Sequence, residues 1–181
     1  MPINSPMELF LEELAGMYDA EHRLIPILQG LAGEAQNSQN KQAYEQHLHE
    51  TEHQIQNLAQ VFQILGQQPR RQACLAIEGI KQEHDTFKKQ NPTPHILEAF
   101  DLGGAEKTEH YEIGSYLMLI QQCQLMNQPE CVRLLQQNLQ QEQAMAERVL
   151  HFGDVVGRQL IAQAGQMYGQ GQAVPGATPP A

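Results

Sequence analysis

Glutamate stands at positions where the helical pattern of this chain calls for an apolar residue. In the first predicted helix, apolar side chains recur at steps of three and four residues, and Glu21 falls between Met17 and Leu24 in that series. A carboxylate in a dry core lowers stability by several kcal/mol unless a cation or hydrogen bonds compensate its charge. The position of Glu21 therefore indicates a chemical role for its carboxylate.

Two later predicted helices repeat this feature. Glu109 and Glu112 fall in a series that continues through Tyr116, and Glu142 falls in a series that continues through Met145. Carboxylates from three helices at one level of a bundle would repel each other. A multivalent cation would neutralise that repulsion and replace the lost water. We therefore predict that these glutamates bind metal ions.

The second predicted helix adds Glu50 and His53, which are three residues apart and so project from one face. His47 lies one turn before Glu50 on the same side of that helix. Ligand sets that combine carboxylates with imidazole suit iron or manganese. The predicted metal ligands are Glu21, Glu50, His53, Glu109, Glu112 and Glu142.

The spacing of these residues predicts that they meet. Glu21 and Glu50 are 29 residues apart (50 − 21), and Glu112 and Glu142 are 30 apart (142 − 112). Each interval allows half a helix, a turn, and half a helix back, so both pairs can lie near the middle of a bundle. Glutamates from two helices, with i, i+3 ligand pairs from the other two, form the pattern of dinuclear iron carboxylate centres. We therefore predict a site for two ions.

Five predicted helices would position these residues. Ser5 and Pro6 resemble a capped helix start, and Gly66 with Pro69 stops the second helix. Two long hairpins joined by a connection with a short helix predict an all-α fold, a ferritin-like antiparallel four-helix bundle with an extra short helix in the crossover. The predicted helices span residues 6–35, 38–65, 72–89, 93–126 and 129–163.

The chain is predicted to contain one domain and a tail. Residues 1–164 would form the bundle, whereas residues 165–181 are rich in Gly, Gln and Pro. Such a composition cannot bury a core, so we expect the tail to be disordered. Within the fourth predicted helix, Gly103 and Gly104 should weaken the helix by about 1 kcal/mol each relative to alanine.

Charge and cysteine content restrict the function classes. The net charge is −10, which disfavours contact with phosphate backbones, so we expect no nucleic-acid partner. Three cysteines without paired spacing indicate reduced thiols and a cytoplasmic location. No apolar run approaches the ~20 residues that a membrane span needs, so we expect no membrane partner.

Several short motifs resemble one family. The chain is similar to the YciE/YciF family of bacterial stress-associated ferritin-like proteins over about residues 6–154, and rubrerythrin is a related protein of that superfamily. The most specific motif is Glu109-His110-Tyr111-Glu112-Ile113. The others are Tyr18-Asp19-Ala20-Glu21, His47-Leu48-His49-Glu50-Thr51 and Cys74-Leu75-Ala76-Ile77-Glu78-Gly79.

The resemblance implies roles for the predicted ligands in rubrerythrin's order. Glu21 would be the single glutamate of the first helix, Glu50 and His53 a Glu-x-x-His pair, and Glu109 and Glu112 a Glu-x-x-Glu pair.

Met145 departs from that order. It lies three residues after Glu142, where rubrerythrin has a histidine ligand, and a thioether is a poor ligand for hard ions. The resemblance therefore implies two unequal metal sites. The ion on the Glu142 side would be held weakly, and the ion bound by Glu50 and His53 would be held tightly.

Two hypotheses for the function follow. The first is a metal-binding protein with a dinuclear iron or manganese site that acts in iron, oxidative or general stress, with peroxide or oxygen as a small oxidant. The second is a non-catalytic helical dimer module with a degenerate metal site that works through protein contacts. The segment from Tyr116 to Ile120 is apolar on every face, which one core cannot cover. We therefore predict a homodimer that uses Leu117 and Met118, and the family resemblance also implies dimers.

Overall fold

Five α-helices span most of residues 3–168, the part of the chain that the computed structural model describes. Their order matches the order predicted from apolar spacing, and the ends differ by a few residues. The helices are α1 (Pro6–Glu34), α2 (Ser38–Ile64), α3 (Leu75–Lys88), α4 (Pro94–Leu125) and α5 (Pro129–Tyr168).

Side-chain and backbone caps set the helix ends. The Ser5 hydroxyl accepts a hydrogen bond from the Glu8 backbone N–H at 3.2 Å, and Pro6 occupies the first turn of α1. Gly66 at φ 70° and Asn127 at φ 54° end α2 and α4 in the left-handed conformation. At both ends the next amide donates back into the final turn, which satisfies carbonyls that the helix leaves free.

Packing between helices confirms the ferritin-like four-helix bundle. α1 packs against α2, and α4 packs against α5. A three-residue connection joins the two helices of each hairpin. The hairpins meet through α2 with α5 and through α1 with α4. The short helix α3 lies in the crossover and packs against α1 and α4.

The crossover helix begins later than predicted. α3 starts at Leu75 rather than at Gln72, because the preceding residues bond to α1. The Gln72 N–H donates to the Ala15 carbonyl at 3.0 Å, and the Cys74 N–H donates to Asp19 Oδ2 at 2.8 Å. These bonds hold the segment in a non-helical conformation against the first helix.

Three other features of the helices bear on the sequence predictions. Gly103 and Gly104 lie inside α4 without breaking it, and Pro26 lies inside α1. α5 continues to Tyr168, past residue 164 where the bundle was predicted to end. The rest of the predicted tail, residues 169–181, lies outside the described residues. None of the described helices is long and apolar enough to cross a membrane.

The apolar segment of α4 divides between core and surface. Tyr116, Leu119 and Ile120 are buried in the bundle, whereas Leu117 and Met118 are 50% and 51% exposed. We propose that this exposed pair lies in a dimer contact.

Replacing both Leu117 and Met118 with lysine should convert the dimer into a monomer, because two charges would be buried at the contact without partners. Sedimentation velocity at high micromolar concentration measures this change. Ile96→Lys is the matched control, since Ile96 is 43% exposed on the same helix but about 30 Å away at 1.5 Å per residue. A monomeric wild-type protein at that concentration would contradict the prediction.

Candidate metal centre

Four predicted ligands lie inside the bundle, at positions where helical spacing placed them in the apolar series. Glu21 of α1, Glu112 of α4 and Glu142 of α5 are each 0% exposed, and Glu109 is 2% exposed. Apolar residues cover the same faces above and below them, so these carboxylates are shielded from bulk water. The pattern of glutamate within apolar spacing therefore identified buried groups.

The second helix contributes His47 to this group. The side chain is 1% exposed, and its Nε2 lies 3.5 Å from Glu109 Oε1 and 3.6 Å from Glu142 Oε2. His47, Glu109, Glu112 and Glu142 each offer one ligand atom, and these atoms all lie within 4.8 Å of one another. We call these four residues the buried His/Glu cluster.

The other two predicted ligands of α2 lie elsewhere. His53 is exposed, and Glu50 is half-buried with its Oε2 3.4 Å from His47 Nδ1. The buried face of α2 runs through His47, Thr51 and Gln54 at helical steps, and His53 falls on the opposite side. The structure therefore places His47, and not His53, beside the glutamates.

The same rule that found the glutamates also applies to His47. Tyr44, His47, Thr51 and Leu58 lie on the buried face of α2 at helical spacing. The predicted pair of Glu50 and His53 lies off this face, since Glu50 is only partly buried and His53 is exposed. A polar residue in the correct apolar series was therefore the signal that could have identified His47.

Hydrogen bonds orient the carboxylates on one side of the cluster. The Tyr116 hydroxyl donates to Glu21 Oε1, and Asn138 Nδ2 donates to the Tyr116 oxygen at 3.0 Å. Asn57 Nδ2 donates to Asn138 Oδ1 at 2.7 Å. These buried polar side chains form a connected network, and such a network holds ligands in one orientation.

A second contact orients the carboxylate of α5. Gln54 Nε2 donates to Glu142 Oε1, while Glu142 Oε2 faces the His47 ring. One oxygen of Glu142 is therefore used by the protein and the other is directed into the cluster. Met145, one turn later on α5, is buried at 1% exposed.

Burial disfavours the charged form of the carboxylates in and beside the cluster. Burial raises the pKa of Glu112 well above its usual value, and the charges of Glu142 and Glu21 raise it further. Burial also raises the pKa values of Glu21 and Glu142 strongly, against the lowering effects of Tyr116 on Glu21 and of His47 on Glu142. Burial raises the pKa of Glu109 to about 8.

The pKa values of His47 and Glu50 are both shifted toward the charged form. Burial lowers the pKa of His47, but the hydrogen bond to Glu50 and the charges of Glu142 and Glu21 outweigh burial, so the pKa is raised. The hydrogen bond from His47 lowers the pKa of Glu50. One imidazole faces several carboxylates, and it does not balance their charge.

The donor atoms fit a metal ion. Within the described part of the chain, five buried carboxylate oxygens of this site have no hydrogen-bond partner: Oε2 of Glu21, Glu109 and Glu142, and both oxygens of Glu112. Unpartnered buried acceptors are rare in folded proteins and call for an ion or an ordered ligand. Carboxylate oxygens and one imidazole nitrogen are the donors that iron and manganese accept. The buried His/Glu cluster can therefore hold a metal ion.

The metal-free protein should lose stability as the pH rises from about 4.5 to about 8. Folded Glu109 keeps its proton to about pH 8, while an ordinary glutamate loses it near 4.5, so the folded state binds more protons in this interval. The free energy of unfolding should then fall by about 1.4 kcal/mol per pH unit for each such proton. Urea denaturation of chelator-treated protein measures this slope, and Glu109→Gln should reduce it. Greater stability at pH 8 than at pH 5 would contradict the prediction.

Glu112→Gln should stabilise the metal-free bundle at pH 8 while weakening metal binding. The amide keeps the side-chain shape and removes repulsion with Glu142 and Glu21, which should add about 1–3 kcal/mol to the free energy of unfolding. Denaturation and metal analysis of the same samples test both effects. Glu147→Gln is the control, because Glu147 is exposed on α5 and its change should have little effect. Unchanged metal content in Glu112→Gln would remove Glu112 from the ligand set.

Comparison with known proteins agrees with the motifs and the fold. The chain is 30% identical over 138 residues to Protein YciF of Escherichia coli K12, a match that covers 76% of this chain and 83% of YciF. The crystal structure of the E. coli stress protein YciF superimposes with a TM-score of 0.81 at 27% identity, over 86% of this chain and 99% of YciF. YcfI of Rhodopseudomonas palustris superimposes with a TM-score of 0.79 at 33% identity, over 81% and 94%.

A family model, described as Domain of unknown function (DUF892), matches residues 5–161. The matched region contains all four helices of the bundle hairpins up to the last turns of α5, and therefore the whole buried His/Glu cluster. This match and the relation to YciF confirm the family resemblance found in the motifs. The chain belongs to the DUF892 family of YciF-like helical proteins.

Proposed function

We propose that this protein binds iron or manganese in a dinuclear carboxylate site and acts in iron, oxidative or general stress. One observation carries the proposal: the buried His/Glu cluster brings four ligand atoms within 4.8 Å of one another and leaves carboxylate oxygens without partners. The relation to the stress protein YciF supports the physiological part of the proposal.

The first ion would be held by the buried His/Glu cluster. Its nitrogen ligand would be the imidazole of His47. A histidine at the position of Met145 is therefore not needed for this ion. The order of affinities implied by the rubrerythrin resemblance is then reversed: the side with Glu109 and Glu142 is the stronger site.

The second ion would be held more weakly, between Glu21 and Glu112. Both oxygens of Glu112 lack partners among the described residues, so its carboxylate would be available to both ions, and Glu21 Oε2 is also unpartnered there. The imidazole that the sequence predicted for this ion, that of His53, is exposed. Carboxylates and water would complete the coordination of this ion.

Glu50 would act on the metal through His47. Its Oε2 lies 3.4 Å from His47 Nδ1, a geometry in which Nδ1–H donates to the carboxylate and the Nε2 lone pair faces Glu109 and Glu142. A carboxylate behind a histidine ligand fixes the ring and its tautomer. Glu50 is therefore proposed as a positioning residue for the centre.

A bound iron or manganese ion would supply one-electron chemistry toward a small oxidant such as peroxide or oxygen. The protein's part is to exclude water and to release protons. Glu109 holds its proton at neutral pH because burial raises its pKa to about 8, and burial also raises the pKa values of Glu112 and Glu142. An ion must displace such protons to bind. Metal affinity should therefore increase with pH.

The choice between His47 and His53 gives a matched test. His47→Ala should weaken binding of Mn²⁺ to chelator-treated protein by at least about tenfold, since it removes the nitrogen ligand of the stronger site. His53→Ala should leave binding unchanged, because His53 is exposed on the same helix. Isothermal titration with Mn²⁺, and with Fe²⁺ under anaerobic conditions, measures both.

Each result of this titration has a definite meaning. Equal weakening by the two changes would restore His53 as a ligand and contradict the assignment of His47. Two equally tight sites in the wild-type protein would contradict the unequal pair. No metal binding by the wild-type protein would favour the second hypothesis, a helical dimer module that works through protein contacts.

A further inference from the structure

A cavity of about 440 Å³ lies between α1, α3 and α4. Most of its wall is apolar, with Leu24, Ile27 and Ile80 among the lining residues, and Gly103 and Gly104 add no side chains to it. At one part of the wall the cavity reaches His47 and Glu109 of the buried His/Glu cluster. At another it reaches a second group of metal-binding residue types.

Glu34, His84 and Asp101 form this second group, here called the outer cluster. They come from α1, α3 and α4, and their ligand atoms lie within 4.8 Å of one another. His84 Nε2 is 3.3 Å from Asp101 Oδ1 and 3.8 Å from Glu34 Oε2. The side chains of Glu34 and His84 are 28% and 24% exposed, so the outer cluster is nearer to solvent than His47 and Glu109.

Each residue of the outer cluster has an atom without a partner. Glu34 Oε2, His84 Nε2 and Asp101 Oδ1 are buried, and none forms a hydrogen bond to any part of the chain that the structure describes. Asp101 is only 6% exposed. The unpartnered atoms are the same ones that approach one another, which indicates a missing shared partner.

Other atoms of the same side chains are already bound. Lys88 Nζ donates to Glu34 Oε1, and His84 Nδ1 lies 3.3 Å from Asp85 Oδ1. A carboxylate on one ring nitrogen directs the other nitrogen toward a metal. The protein thus holds the outer atoms of Glu34 and His84 and leaves their inner atoms free.

An ion pair between protonated His84 and Asp101 explains less of this geometry. At 3.3 Å the two groups are close, yet no hydrogen bond joins Nε2 to Oδ1, so the N–H direction does not point at the carboxylate. Burial raises the pKa of Asp101 to about 6, His84 and Lys88 lower it, and Glu34 and Glu98 raise it. The negative charge at Asp101 is therefore only partly compensated by its neighbours.

We propose that the outer cluster of Glu34, His84 and Asp101 forms a separate divalent-cation site. An ion would bind there as it enters the cavity, before it passes to the buried His/Glu cluster. Three protein ligands leave coordination positions for water, so the ion can exchange. Carboxylates and imidazole favour Mn²⁺ or Fe²⁺ over Mg²⁺. The site itself stands on its own geometry, whereas its role in uptake rests on the proposed function.

Tyr44 lies on the wall of the same cavity. Burial, together with the charges of Asp101, Glu98 and Glu109, raises the pKa of its hydroxyl, so the hydroxyl is within electrostatic range of both clusters. The Tyr44 hydroxyl oxygen is buried and has no partner among the described residues. The Tyr44 oxygen is thus a polar group on the mostly apolar wall of the cavity.

Mn²⁺ alone is the probe for the site. A protein with Glu112→Gln and Glu142→Gln should still bind one Mn²⁺ per chain, measured by loss of the free Mn²⁺ signal in electron paramagnetic resonance and by equilibrium dialysis. Adding His84→Ala, or the milder His84→Gln, should abolish this remaining binding. Adding His95→Ala, an exposed histidine on α4, should not change it. Circular dichroism confirms that each variant is folded.

Two results would overturn the outer cluster as a cation site. One is no Mn²⁺ binding by the Glu112→Gln, Glu142→Gln protein, and the other is binding that survives both changes of His84. Failure of the proposed function gives a different result: the Glu112→Gln, Glu142→Gln protein would bind as much Mn²⁺ as the wild type, and His84→Ala would still remove one ion.

The uptake role is tested by rates. In otherwise wild-type protein, His84→Ala should slow the filling of the buried His/Glu cluster by about tenfold, because the outer site no longer concentrates the ion at the cavity. The final affinity of the buried cluster should not change. Stopped-flow tyrosine fluorescence follows the filling, since Tyr116 donates to Glu21 beside the cluster. Equal rates in the wild type and His84→Ala would overturn the uptake role.

Discussion

Four glutamate carboxylates are held out of water at one level of the bundle, and their charge is the constraint around which the neighbouring residues are arranged. Apolar packing alone cannot stabilise them, because dehydration of a carboxylate costs more than a protein of this size can lose. The chain reduces this cost with protons, with hydrogen bonds from Tyr116 and Gln54, and with the imidazole of His47. The carboxylate oxygens that these groups leave without a partner are the atoms that a metal ion would bind.

The surroundings of the cluster differ along the bundle axis. Tyr116 and Asn138 follow the ligands toward the α4–α5 connection, and there a network of buried amides and a hydroxyl closes the core. In the opposite direction, toward the start of α4, lies the cavity with Gly103, Gly104 and Asp101 on its wall. One end therefore orients the ligands, and the other provides space through which an ion can reach them.

Family membership and chemistry contribute different parts of the functional argument. The DUF892 match and the YciF superposition establish the ancestry and the helical arrangement. A fold supports many functions, so the chemical argument depends on the site. Here the site supplies carboxylate oxygens from α1, α4 and α5 and the imidazole of His47 from α2. Glu50 lies behind that imidazole. This donor set can hold a metal ion, and it supports the proposal of iron or manganese independently of the family name.

Spacing along the chain determined the helices, their pairing into hairpins, and the burial of Glu21, Glu109, Glu112 and Glu142, because each is a local property of one amphipathic helix. The prediction took His53 and not His47, although His47 lies in the same helical series as Tyr44 and Leu58. Both lie three residues from Glu50, and the rotation of α2 that turns His47 inward is set by its packing against α1 and α5. The outer cluster is likewise a tertiary result, since Glu34, His84 and Asp101 come from three helices and meet only where the crossover helix packs against the bundle.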